Sequence, residues 1–138
     1  MWAGYFIPYI VYAIKTCLVI GCQPAQSPVM KLSVDEGKIV EYNSGKTLSD
    51  GSAGGIESGS ITFDVCRVGI DKWITVEEDE IENAIFIAHK YHNNKIIEGA
   101  AGVALGAFIK MVEFYKMWIR YSEYFFYKSW SKTQTLEL

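Results

Sequence analysis

Residues 73–92 read Trp73-Ile74-Thr75-Val76-Glu77-Glu78-Asp79-Glu80-Ile81-Glu82-Asn83-Ala84-Ile85-Phe86-Ile87-Ala88-His89-Lys90-Tyr91-His92, and the hydrophobic period changes once along them. Trp73 to Val76 is a short, β-branched apolar run, which predicts a strand. Four acidic residues, Glu77 to Glu80, then stand where a helix dipole is positive, and Thr75 with Glu78 has the spacing of a capping box. Ile81, Ala84, Ile85 and Ala88 recur at i, i+3, i+4 and i+7, so a helix with one buried face is predicted from about Glu78 to His92. Lys90 and Lys95 suit its far end.

Upstream, the apolar run Cys17 to Cys22, closed by Gln23-Pro24, suits a strand buried on both faces. Ser27-Pro28 supplies an N-cap followed by a first-turn proline, and Gly37 a left-handed stop, so a helix of about ten residues lies between them. Ile39 to Tyr42 reads as a second strand and Ser44 to Gly59 as a Gly/Ser/Thr loop. From Ser60 a short helix carries Ile61, Val65 and Val68 on one side. Downstream, Lys95 to Glu98 is a short strand, and Gly99 to Lys110 opens a helix whose Ala and Gly permit close approach to a sheet. The alternation of strand and helix predicts an α/β layer, a partial parallel sheet with helices, whose ligands sit at the carboxyl ends of strands. Those ends are Gln23, Val76 and Glu98.

The chain has 138 residues, enough for one ordinary domain. Thirteen Lys and Arg against sixteen Asp and Glu leave a charge of -3, which excludes a global positive field for nucleic acid. Cys17, Cys22 and Cys66 form neither a disulfide framework nor a zinc set, which points to a reducing cytoplasm. Residues 1–22 resemble a lipoprotein signal, but Lys15 interrupts the apolar stretch and Pro8 breaks it, which argues against a signal or a membrane anchor. Nine of the twenty aromatic residues lie between Phe114 and Trp130, interleaved with Lys116, Arg120 and Lys128. That tail reads as an interfacial helix with a basic polar face, as a continuation of the preceding helix packed on its own domain, or as out-of-frame sequence. The last is preferred on composition.

Candidate chemistry is sparse. Glu98 stands where an apolar strand meets a glycine-rich turn, and reads either as a carboxylate facing a ligand, partly buried with a partner, or as a solvated loop glutamate. Asp50, in Thr47-Leu48-Ser49-Asp50-Gly51, is an Asx-turn residue or a ligand for a hard cation together with backbone carbonyls. His89 and His92 share one helix face but lack a third metal ligand nearby in sequence. Gly51-Ser52-Ala53-Gly54-Gly55 has the composition of an anion nest without matching a phosphate-loop motif.

Three segments occur in one order: Val19-Ile20-Gly21-Cys22-Gln23-Pro24 with Ser27-Pro28-Val29-Met30, then Thr47 to Gly51 with Ala53-Gly54-Gly55, then Glu98-Gly99-Ala100-Ala101-Gly102-Val103-Ala104-Leu105. Together, over roughly Val11 to Tyr115, they resemble the pyridoxal-phosphate-dependent serine/threonine dehydratases of fold type II, the group that includes threonine ammonia-lyase and serine racemase. The resemblance implies the C-terminal part of the large cofactor domain over residues 1–115, followed by a divergent, aromatic-rich helical tail over 116–138. It implies that Glu98 lies beside the cofactor, that Gly4 is the remaining match to the glycine-rich phosphate cradle, and that Asp50 corresponds to an aspartate that binds a divalent cation in some members. The family's Schiff-base lysine, in a Ser-x-Lys motif far upstream, has no counterpart at its place here, and the small substrate domain is missing too. The expected activity is therefore β-elimination from a hydroxy amino acid, lost in this chain alone or restored by a partner chain carrying the N-terminal half.

Overall fold

The computed structural model describes residues 18–94 and 96–134, those from 118 onward as backbone. Two strands, β1 (Ile20–Pro24) and β2 (Lys72–Val76), pair in parallel with Cys22 opposite Ile74 and Pro24 opposite Val76. Four helices accompany them: α1 (Val29–Glu36), α2 (Ile61–Gly69), α3 (Glu78–Tyr91) and α4 (Gly99–Gln134). The architecture is α/β with a small parallel sheet, as the alternating pattern predicts. The first compact unit runs to Ala107 and the second covers residues 108–138.

Local chemistry explains where each element begins and ends. Gln23, the last polar residue of β1, accepts a hydrogen bond from the Lys31 backbone N–H at 2.8 Å and so caps the first turn of α1 from a distance. That helix closes on Gly37 at φ 70°, where Gly37 N–H donates to Val34 O and Lys38 N–H to Ser33 O, a Schellman pair. The start differs from expectation: Pro28 occupies the cap and Ser27 does not cap the helix. Its buried hydroxyl instead shares a hydrogen bond with the Ser44 hydroxyl (2.7 Å) and accepts one from Gly54 N–H (3.1 Å). At α3 the capping box is Glu77 with Glu80, two residues beyond the Thr75 pair, because the chain stays extended through Glu77. The helix ends on Asn93 and Asn94, both left-handed (φ 54° and 58°), a conformation asparagine tolerates better than most residues.

Several sequence expectations are corrected. Ile39 to Tyr42 forms no strand: the Val40 N–H is taken by the buried Ser33 hydroxyl at 3.1 Å, not by a neighbouring strand. Of the predicted strand Lys95 to Glu98, the described residues Ile96 to Glu98 form no strand, and Ile96 is 82% exposed; a strand exists only through its partners. β1 begins at Ile20, and its residues before Pro24 are half-buried, not enclosed on both faces; among the described residues β2 is the one strand paired with it. On α2, Ile61 and Val68 are exposed, and Phe63, Val65 and Cys66 are half-buried instead. The expectations for Cys17, for Gly4 and for the N-terminal apolar stretch lie outside the described residues.

The core of the first unit is Val76, Ile81, Val103 and Ala107, with Cys22, Ile74 and Ile85 packed against it. Burying Ile81 and Val76 fully contributes roughly 1.5–3 kcal/mol each relative to exposure. α4 reaches this core because its inner face is small. A Cβ on Gly102 would lie 2.9 Å from Ile85 Cγ1, and one on Gly106 2.8 Å from Val76 Cγ1.

Candidate functional site

The carboxyl ends of the two parallel strands meet one set of loops. Ala25 N–H donates to Val76 O at 2.8 Å, joining the exit of β1 to the end of β2. Gln26 O accepts from Gly45 N–H at 2.9 Å and Ser27 from Gly54 N–H, which folds residues 44–54 over the exit of β1. From the exit of β2, Glu78 Oε2 accepts the Leu48 N–H at 2.8 Å. At the carbonyl of the same residue, a Cβ added to Gly99 would lie 1.9 Å from Leu48 O, so only glycine fits there. The glycine-rich turn after Glu98, the Thr47–Gly51 loop and the strand exits are therefore one assembly, although 17 to 51 residues of sequence separate its contacts.

Each predicted site residue has a definite place in it. Glu98 is exposed, not partly buried, because the turn around it is held through Gly99 and through the Glu98 carbonyl, which accepts Gly102 N–H. Asp50 is also exposed; it opens a 3₁₀ turn over Asp50–Ser52, and its Oδ1 accepts the Gly51 N–H at 2.8 Å, one residue on, whereas the Ser52 N–H that an Asx turn would use goes to Ser49 O. The glycine run is not an anion nest. Gly51, Ser52, Ala53 and Gly54 spend their N–H groups on Asp50 Oδ1, Ser49 O, Asp50 O and Ser27 Oγ, leaving these four amides no hydrogen for a phosphate. Among the described residues no group of three or more His, Cys, Asp or Glu comes together.

Two features were not legible in the sequence. Glu78 was read as a capping and dipole residue, yet it bridges to the Leu48 loop, and its Oε1 is buried without a hydrogen-bond partner. Nothing in its spacing signals a bond across thirty residues. The second is a cleft of about 290 Å³ at the C-terminal end of α3, lined by Ala88, Tyr91, His92, Asn93 and Ile97. A 14-residue helix spans about 20 Å, so this cleft stands a helix length from the strand ends. His92 lines it, and His89 Nδ1 is buried without a partner; neither joins the assembly around Gly99.

The donor set at the strand ends does not by itself suit pyridoxal phosphate. The Ser-x-Lys letters do occur at Ser44-Gly45-Lys46, but Lys46 is exposed in the covering loop, Ser44 is engaged with Ser27, and the nearby amides are spent within the loop. Both half-buried thiols, Cys22 and Cys66, are pushed above their ordinary pKa by burial, which makes them poor nucleophiles.

No protein-family model matches the chain. Among curated proteins, it is 34% identical over 110 residues to the catabolic L-threonine dehydratase of Escherichia coli, covering 77% of this chain and 33% of that protein. It is 36% identical over 91 residues to the L-threonine ammonia-lyase of Geobacter sulfurreducens, covering 66% of this chain and 22% of that one. Among solved structures, threonine deaminase isoform 2 from Solanum lycopersicum superposes with a TM-score of 0.71 at 29% identity, over 80% of this chain and 32% of that one. Serine racemase from Dictyostelium discoideum gives 0.59 at 26% identity, over 70% and 30%. The chain thus spans a third or less of the length of these relatives. Over the part of the fold that it matches, the chain belongs to the pyridoxal-phosphate-dependent dehydratase family of fold type II, with the threonine dehydratases and serine racemases.

Proposed function

We propose that residues 1–115 are part of the cofactor domain of a serine/threonine dehydratase, related to the β-elimination that turns a hydroxy amino acid into an α-keto acid and ammonia, and that this chain alone does not catalyse it. The observation that carries the reading is the close packing of Gly99 on the Leu48–Ser49 backbone, which unites the Glu-Gly-Ala-Ala-Gly turn with the Thr-Leu-Ser-Asp-Gly loop at the strand ends. Pyridoxal phosphate, when bound, supplies the electron sink that makes loss of a β-hydroxyl feasible. This chain contributes a rim: Glu98 beside the cofactor and Asp50 at the divalent-cation position, both assigned on family resemblance, with Glu78 fixing the loop between them. The amine that must attack the cofactor is not replaced by positioning.

The test is incubation of the purified chain with pyridoxal phosphate and serine or threonine, followed by assay for pyruvate or 2-oxobutanoate. None is expected above buffer, and steady production by clean protein would overturn the reading. A second reading, a split enzyme, is favoured by the small sheet: among the described residues two strands of five residues make a marginal sheet, and the relatives are about three or more times longer. A companion chain carrying the N-terminal half should then co-purify from the native cell and bring dehydratase activity with it. A chain that purifies alone counts against the split.

A further inference from the structure

The part of α4 C-terminal to Ala107 carries a pattern that the dehydratase reading does not use. At about 100° per residue, the six charged residues between Phe108 and Ser129 (Lys110, Glu113, Lys116, Arg120, Glu123 and Lys128) fall on one arc of about 140°. The opposite half of the circumference holds the positions of Phe108, Met111, Phe114, Trp118, Phe125 and Trp130 and, of the charged residues from Lys110 to the end of the helix, that of Lys132 alone. Phe108, Phe114 and Tyr115, whose side chains are described, are 62%, 53% and 53% exposed.

Charge also divides along the chain. Residues 108–134 carry five Lys and Arg against two Glu, a net +3, whereas residues 1–107 carry eight against thirteen, a net -5. We propose that residues 108–134 form a docking helix for an anionic lipid surface, lying in the plane of the headgroups. Tyr and Trp rings suit a boundary that is apolar on one side and wet on the other, and the basic excess complements anionic headgroups. Among the described residues no helix is long and apolar enough to cross a membrane. Pairing this helix with that of a second copy would instead bring two +3 segments together.

The experiment is co-sedimentation of the full chain with vesicles of phosphatidylcholine containing phosphatidylserine, and with vesicles of phosphatidylcholine alone. Binding to the first at least about tenfold tighter than to the second, weakening as salt rises, is expected. Lys116→Glu combined with Arg120→Glu should reduce it about tenfold or more, and so should Phe114→Asp, with helix content checked by circular dichroism. If a variant fails to fold, the salt and lipid dependence of the unaltered chain decides. No binding to either vesicle, binding indifferent to phosphatidylserine and salt, or a stable dimer formed without lipid and unable to bind vesicles would each overturn the proposal.

Discussion

α4 is one continuous helix with two unlike halves. Its first nine residues, Gly99 to Ala107, bury Gly102, Val103, Gly106 and Ala107 at helical spacing and carry no side chain larger than Leu105. The residues that follow begin with Phe108, Ile109 and Lys110, and the large apolar side chains Phe108, Phe114, Tyr115 and Met117 are all more than half exposed. Backbone geometry is shared, so side-chain volume makes the difference. A helix can lie against β2 and the Leu48 loop only where its inner face is nearly bare; elsewhere it presents bulk that its own unit does not cover.

The largest effect should come from reversing that rule at the tightest contact. Gly99→Ala puts a Cβ 1.9 Å from a backbone oxygen, and one backbone must retreat. About 3 kcal/mol of destabilisation, at the top of the range for overpacking, should appear as a lower urea midpoint. In the same assay Phe108→Ala, at a site 62% exposed, should shift stability by less than about 0.5 kcal/mol. Equal effects at the two sites would break the comparison.

A smaller effect tests whether the packed half depends on Glu78. Glu78→Ala removes the acceptor of the Leu48 N–H and should cost about 1 kcal/mol, with faster hydrogen exchange at the Leu48 amide. Glu78→Gln keeps an acceptor oxygen and should leave that amide protected. If exchange at Leu48 is the same in all three proteins, Gly99 alone holds the loop.

How much of this was legible follows from the range of each interaction. α3 announces itself through an apolar period and an acidic first turn, both local, and Gly37 as a left-handed stop is equally local. The loop over Ile39 to Tyr42 misled because its apolar run looks like a strand, while the Ser33 hydroxyl that takes the Val40 N–H is set by the end of α1. After Ile96-Ile97, Glu98 reads equally as partly buried or as solvated, and it is solvated, as is Ile96. Its motif was readable as a resemblance; the bond from Glu78 to Leu48 and the fit of Gly99 on Leu48 are tertiary facts that no spacing encodes.

The finest test reads the packed unit through its thiols, since the segment after Ala107 has no cysteine. Burial raises the folded-state pKa of Cys22 and of Cys66 above 9.0. The folded chain then holds those protons more tightly than the unfolded one, so their contribution to stability is fully present below pH 9.0 and is lost as pH rises through the folded values. Lys and Tyr titrate in the same region, so the slope must be isolated by difference. In a Cys17→Ser background, Cys22→Ala should lower stability by a roughly constant amount up to pH 9.0 and flatten the fall above it. Cys66→Ala should flatten the fall likewise, at a half-buried site on α2 away from the sheet core. Unchanged alkaline slopes in both variants would mean that the thiols are solvated and that the packed unit is looser around Cys22 than its contacts with Val76 and Ile74 require.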